Sequence, residues 1–216
     1  MDNTHTTDKT ITMRTKWSEC TMKDFFSLEK LLVSDTILPE VKIQYAIAIL
    51  SDEEPETIGS LPLNIFQNLA SKLDFLKNTP KKTVVKDVMM SRGRKYRAFL
   101  DLPNLSVAQY FDFGSLMKVY QTTNELKDFC AVFSVFLIPE GHNYNDGYDI
   151  EVVRDDMMYL KVGEALAVSD FFQISFQQYT RSMLRYLKSQ LKTNKTLTPE
   201  LKSKMTELEQ NLKRSV

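Results

Sequence analysis

This chain is short of the residues most enzymes and metal proteins need. It has two histidines, His5 and His142, and two cysteines, Cys20 and Cys130, in 216 residues. No C-x-x-C or H-x-x-x-H spacing exists, so a zinc site has no ligand set and the cysteines cannot build a disulfide framework. Two cysteines fit a reducing compartment. Only 6 glycines and 7 prolines argue against a loop-rich sandwich, and no stretch carries the glycines of a phosphate loop or a dinucleotide fingerprint. Formal charge is zero, from 28 basic and 28 acidic residues, so the whole chain exerts no pull toward nucleic acid or membrane. The longest apolar run, around 129 to 139, is about half the ~20 residues that span a bilayer. MDNTHTTDKTITM holds no apolar core and so no signal peptide. The expectation is a soluble, intracellular, non-enzymatic chain without a cofactor or metal, and without a catalytic, cofactor-binding or metal-binding residue.

What is present is helical periodicity and aromatic mass, with 13 Phe, 9 Tyr and 10 Met. The expected fold is mainly α with a small β-hairpin. Residues 1–16, polar and Thr-rich, read as a disordered arm. Residues 17–76 read as a first helical unit: Thr21 and Asp24 form a shortened capping box ahead of Phe25, Leu28, Leu31 and Leu32. Pro39 starts a second helix ended by the acidic loop SDEEPE, and a third runs over about 63–76. Residues 77–102 read as a basic linker and hairpin, VVKDVMM and KYRAFLDL flanking the turn SRGR. Residues 103–192 read as a second helical unit, with a short helix in EVVRDDMMYL and a long one capped by Ser169. Residues 193–216 read as a C-terminal helix.

At an offset of 85, CTMKDFFSLEKLL lies over LSVAQYFDFGSLM, and VKIQYAIAIL over LKDFCAVFSV. This suggests an internal duplication, two similar helical units joined by the hairpin, although two amphipathic helices can match this well without common descent. The aromatics at the helix starts, Trp17, Phe25, Phe26, Tyr110, Phe111 and Phe113, are expected in the core.

Two stretches are candidates for contact. From Lys77 to Arg97 eight basic residues face one acid, Asp87. Arg92, Arg94, Lys95 and Arg97 at the tip are either a grip for nucleic acid or an acidic protein surface, or else charges that stop a hairpin edge from pairing with other sheets. No ladder of exposed aromatics interleaves them, which argues against base stacking. The second candidate is the last helix, where Leu201, Met205, Leu208 and Leu212 form a narrow apolar seam. It either packs on its own domain or docks on a partner. Two chemical alternatives are set aside. The calcium-like loop HNYNDGYDIE would need a carboxylate where His142 stands, and reads as a turn built from Asn145, Asp146 and Gly147. The adjacent Asp155 and Asp156 read as a solvated helix face.

TKWSECTMKDFFSLEKLL, LSVAQYFDF and FSVFLIPEGHNY give this chain a resemblance to small proteins encoded among the virion genes of tailed bacteriophages. Those proteins pair a W-S-x-x-T-h-x-x-F opening with a later S-h-x-Q-Y-x-D-F helix and an aromatic-apolar run ending in P-x-G. The similarity covers about residues 17–145 and consists of packing and capping patterns. It implies a tail-assembly chaperone or minor virion component, in the host cytoplasm during assembly or in the virion. Its partners would be other phage structural or assembly proteins, or further copies of itself. The alternative is a nucleic-acid-associated accessory protein using the basic segment 77–97.

Overall fold

The computed structural model describes residues 11–101, 104–144 and 146–172, with 181, 185, 203 and 206 as isolated positions beyond them. Helix α1 (Met22–Val33) starts where its capping box requires. The Thr21 hydroxyl accepts from the Asp24 amide at 3.3 Å, and the Asp24 carboxylate accepts from the Thr21 amide at 2.8 Å. The next free amides of the first turn, those of Met22 and Lys23, donate to the carbonyls of Leu160 and Met158. Proline opens α2 (Pro39–Ser51), which ends on Asp52 in the left-handed region. The acidic stretch after it, expected to be a loop, holds the short helix α3 (Pro55–Gly59), again begun by a proline. The third expected helix divides into α4 (Leu63–Ser71) and a 3-10 turn (Lys72–Lys77).

Strands β1 (Val88–Ser91) and β2 (Arg94–Ala98) make the expected hairpin, shorter at both outer ends than the sequence suggested. Its two-residue turn places Arg92 at φ 48° and Gly93 at φ 78°, the pattern whose twist matches the strands it joins. After α5 (Val107–Thr123) and α6 (Leu126–Phe133) comes a strand the sequence reading missed, β3 (Leu137–Pro139). It pairs with β2, so the sheet is three-stranded and antiparallel in the order β1-β2-β3. The chain is thus mainly helical with one small sheet. Helix α7 (Ile150–Met157), capped by Asp149, occupies the expected short helix. A further helix covers 162–172 and runs through Ser169, which is therefore interior and does not cap it. The chain divides after Leu166 into two compact units. In the second, Phe171 and Phe172 meet edge to face at 5.2 Å.

The two expected helical units pack on each other. Phe26 of α1 lies 5.6 Å from Phe129 of α6, which also packs on Tyr120 and Phe133, and everything up to Leu166 belongs to one unit. The capping boxes do recur 85 residues apart, as Ser106 and Gln109 ahead of α5. The helices behind them differ: α1 has 12 residues and α5 has 17, while α2 has 13 and α6 has 8.

Among the six aromatics assigned to the core, Phe26 and Phe113 are buried and Trp17, Phe25 and Tyr110 are partly so. Phe111 is 65 % exposed. It lies two residues, about 200° of helix, from both Gln109 and Phe113, which define the buried side of α5. Leu32, expected on the inner face of α1, is likewise exposed.

Residues 11–16 of the arm assigned to 1–16 are ordered. Ile11 and Met13 pack against a cluster of Ile47, Ala48, Ile58 and Leu69. The Arg14 guanidinium donates to the Ile49 carbonyl at 2.6 Å and bridges Asp24 (3.2 Å) and Asp52 (2.7 Å). Two apolar residues and an arginine placed between two carboxylates offset the entropy of ordering this segment.

Arg14 also sets a pH response. Its hydrogen bond holds the Asp52 carboxyl below the usual carboxylate range. A depressed carboxylate stabilises the fold above its unfolded pKa, about 3.9, and that contribution is lost as pH falls through the folded-state value. Asp52→Asn is therefore expected to flatten the fall of melting temperature below about pH 4. The amplitude is small because the Asp52 side chain is 75 % exposed. Identical pH–melting curves for the two proteins would rule it out.

Candidate functional site: the basic hairpin

The hairpin's cations turn out to be held by its own fold. Alternation along β1 and β2 buries Met89, Ser91, Tyr96 and Ala98 on one face and leaves Val88, Met90, Lys95 and Arg97 on the other. At the tip of the buried face stands Asp156 of α7, fully excluded from solvent. Its carboxylate accepts from Arg94 at 2.7 Å and from the Tyr96 hydroxyl. The Ser91 hydroxyl donates to the Asp156 carbonyl. Burial, and then the bond to Asp156, push the Tyr96 hydroxyl's pKa up, while the same carboxylate raises that of Arg94. Arg92, carried by the left-handed turn, stacks its guanidinium 4.8 Å over the Tyr159 ring, 3.9 Å from the second Asp156 oxygen.

On the open face Lys95 lies 3.5 Å from the Glu140 carboxylate, and the Glu140 amide donates to the Lys95 carbonyl. Lys86 pairs with Glu164. Arg97 donates only to the His142 carbonyl, at 3.5 Å, and has no carboxylate partner among the described residues. Beside it lies a cleft of about 280 Å³ lined by Val88, Arg97, Glu140, Gly141, His142 and Asn143. The approach to the hairpin is fixed by Gly163. A Cβ there would come within 2.8 Å of the Lys81 carbonyl, and the Gly163 carbonyl accepts from Thr83.

Asp156 corrects the reading of Asp155 and Asp156 as a wet face: Asp155 is exposed and Asp156 is not. The signal was present in the spacing. Val153, Met157 and Leu160 are all buried, and Asp156 lies three residues from Val153 on that same side of α7. The acids of the loop before α7 serve as local acceptors. Asp146 accepts from the Asn143 amide, and Asp149 from the amides of Glu151 and Val152. Gly147 adopts φ 74° in that turn, while Asn145 is outside the described residues.

No three His, Cys, Asp or Glu side chains gather in a metal-binding group among the described residues. Burial pushes the thiols of Cys20 and Cys130 each up to about 12, which keeps both protonated. Among the described residues no helix is long and apolar enough to cross a membrane. The seam of Leu201, Met205, Leu208 and Leu212 lies outside the described residues, as does the expected boundary at 192. No family model, no curated protein and no solved structure matches the chain.

Proposed function

We propose that the chain works by binding other proteins, without chemistry of its own, during assembly of a tailed-phage particle. It would act as a tail-assembly chaperone-like or minor virion component, in the host cytoplasm or in the particle itself. The binding part of this reading rests on the outer side of α5, where Val107 and Phe111, one turn apart, are 72 % and 65 % exposed. Apolar side chains grouped on one helix face favour a protein contact. The phage setting rests on the resemblance of the capped-helix motifs, whose threonine and serine close the capping boxes of α1 and α5. Engagement of Arg92, Arg94 and Lys95 by Asp156 and Glu140 speaks against the nucleic-acid alternative, since a phosphate would compete with carboxylates already in place.

The test is recovery of the tagged chain from infected cells, with its companions compared to the proteins of mature particles. Capture of particle proteins supports the reading. A chain that instead binds DNA, with affinity falling steeply as salt rises, overturns it. Phe111→Ala is expected to change stability by less than about 0.5 kcal/mol while weakening partner capture. Loss of thermal stability with capture intact would return Phe111 to the core.

A further inference from the structure

We propose that the outer edge of β1 accepts an extended acidic segment of a partner protein as a fourth strand. The inference rests on the protein-binding reading above and names the kind of partner and the place it docks.

The pairing register decides which backbone groups of β1 are open. Val88 lies opposite Arg97, Met89 opposite Tyr96, Met90 opposite Lys95 and Ser91 opposite Arg94. The Ala98 amide donates to the Asp87 carbonyl, so residues 87, 89 and 91 make the inward bonds of the ladder. The amides and carbonyls of Val88 and Met90 therefore point away from β2, and among the described residues nothing pairs with them. The same two residues are 45 % and 50 % exposed. An edge that shows both open backbone groups and apolar side chains is the template for strand addition.

Charge selects the occupant. Behind Val88, on the same face, stands Arg97, the cation of this face without a carboxylate partner among the described residues. Two strand spacings, about 9.6 Å, separate Arg97 from an added strand, within the combined reach of a glutamate and an arginine. Val88 is short enough to be crossed, and the cleft it lines with Arg97 and His142 leaves room there.

A fluorescent, end-blocked octapeptide alternating glutamate and valine serves as probe, with a lysine–valine octapeptide as control, each titrated by anisotropy against the full chain. The wild-type chain should bind the acidic peptide in preference to the basic one. Met90→Pro removes an outward amide and no bond to β2, so it should weaken acidic-peptide binding about tenfold or more with the melting temperature held. Arg97→Glu, which leaves the edge backbone intact, should reverse the preference between the peptides. The proposal is overturned if the acidic peptide does not bind, if Met90→Pro binds it as well as the wild type, or if Arg97→Glu keeps the preference. Peptide failure alongside recovery of particle proteins sinks the edge and leaves the assembly reading standing. Peptide binding without such recovery does the reverse.

Discussion

Asp156→Ala is expected to destabilise the protein by about 2–4 kcal/mol. Two charge-assisted hydrogen bonds disappear, from Arg94 and from Tyr96. The arginine is half in solvent and recovers water, but the Tyr96 residue is 1 % exposed and its hydroxyl is left without this acceptor. An unsatisfied buried hydroxyl alone costs about 1–3 kcal/mol. Relief from desolvating the carboxylate returns part of the loss, which keeps the net figure below the sum of the bonds. Urea unfolding should show a lower midpoint with an unchanged slope. Asp155→Ala, one residue away and exposed, is the control. Equal midpoints for the two variants would mean that the buried carboxylate stabilises nothing.

Phe136→Ala should have the larger effect, about 3–5 kcal/mol. Phe136 is 2 % exposed, meets Phe113 at 5.1 Å in an edge-to-face contact, and sits between α6 and β3. Its carbonyl accepts from the Phe99 amide at 2.8 Å, tying the end of β2 to the start of β3. Truncation opens a cavity where helix and sheet join, and neighbours held on both sides cannot collapse into it. A fall in melting temperature on the order of 10 °C follows for a unit of this size. A fall of a degree or two would mean that the aromatic layer between α5 and β3 repacks freely.

The parts of this fold that were legible in the sequence are those written within a few residues. Thr21 with Asp24, Ser106 with Gln109, and Pro39 each mark a helix start because capping chemistry acts over one turn. The hairpin turn was legible for the same reason, since Gly93 takes a positive φ without strain. What escaped was written across distance. β3 carried no strand signal because Val135, Phe136, Leu137 and Ile138 are all buried and show no alternation. Phe111 looked like core because aromatics at capped helix starts usually bury their area in packing, but only the side of α5 that carries Gln109 and Phe113 is covered. The cationic excess of the hairpin was visible, but the destination of Arg94 was not, because the carboxylate it meets is 62 residues further along. Arg14 was hidden in the same way, between acids that belong to two different helices.

The first helix depends on a segment made long after it. Met22 and Lys23 hand their amides to Leu160 and Met158, and Lys161 reaches back 142 residues to the Glu19 carbonyl. On a ribosome adding about 5–20 residues each second, α1 waits on the order of ten seconds for the carbonyls that complete its first turn. Until then its opening amides lack these partners, as closing so long a loop is a late event in folding. A nascent chain halted before residue 158 should therefore hold an unfinished α1, vulnerable to protease at the very segment that the completed protein protects.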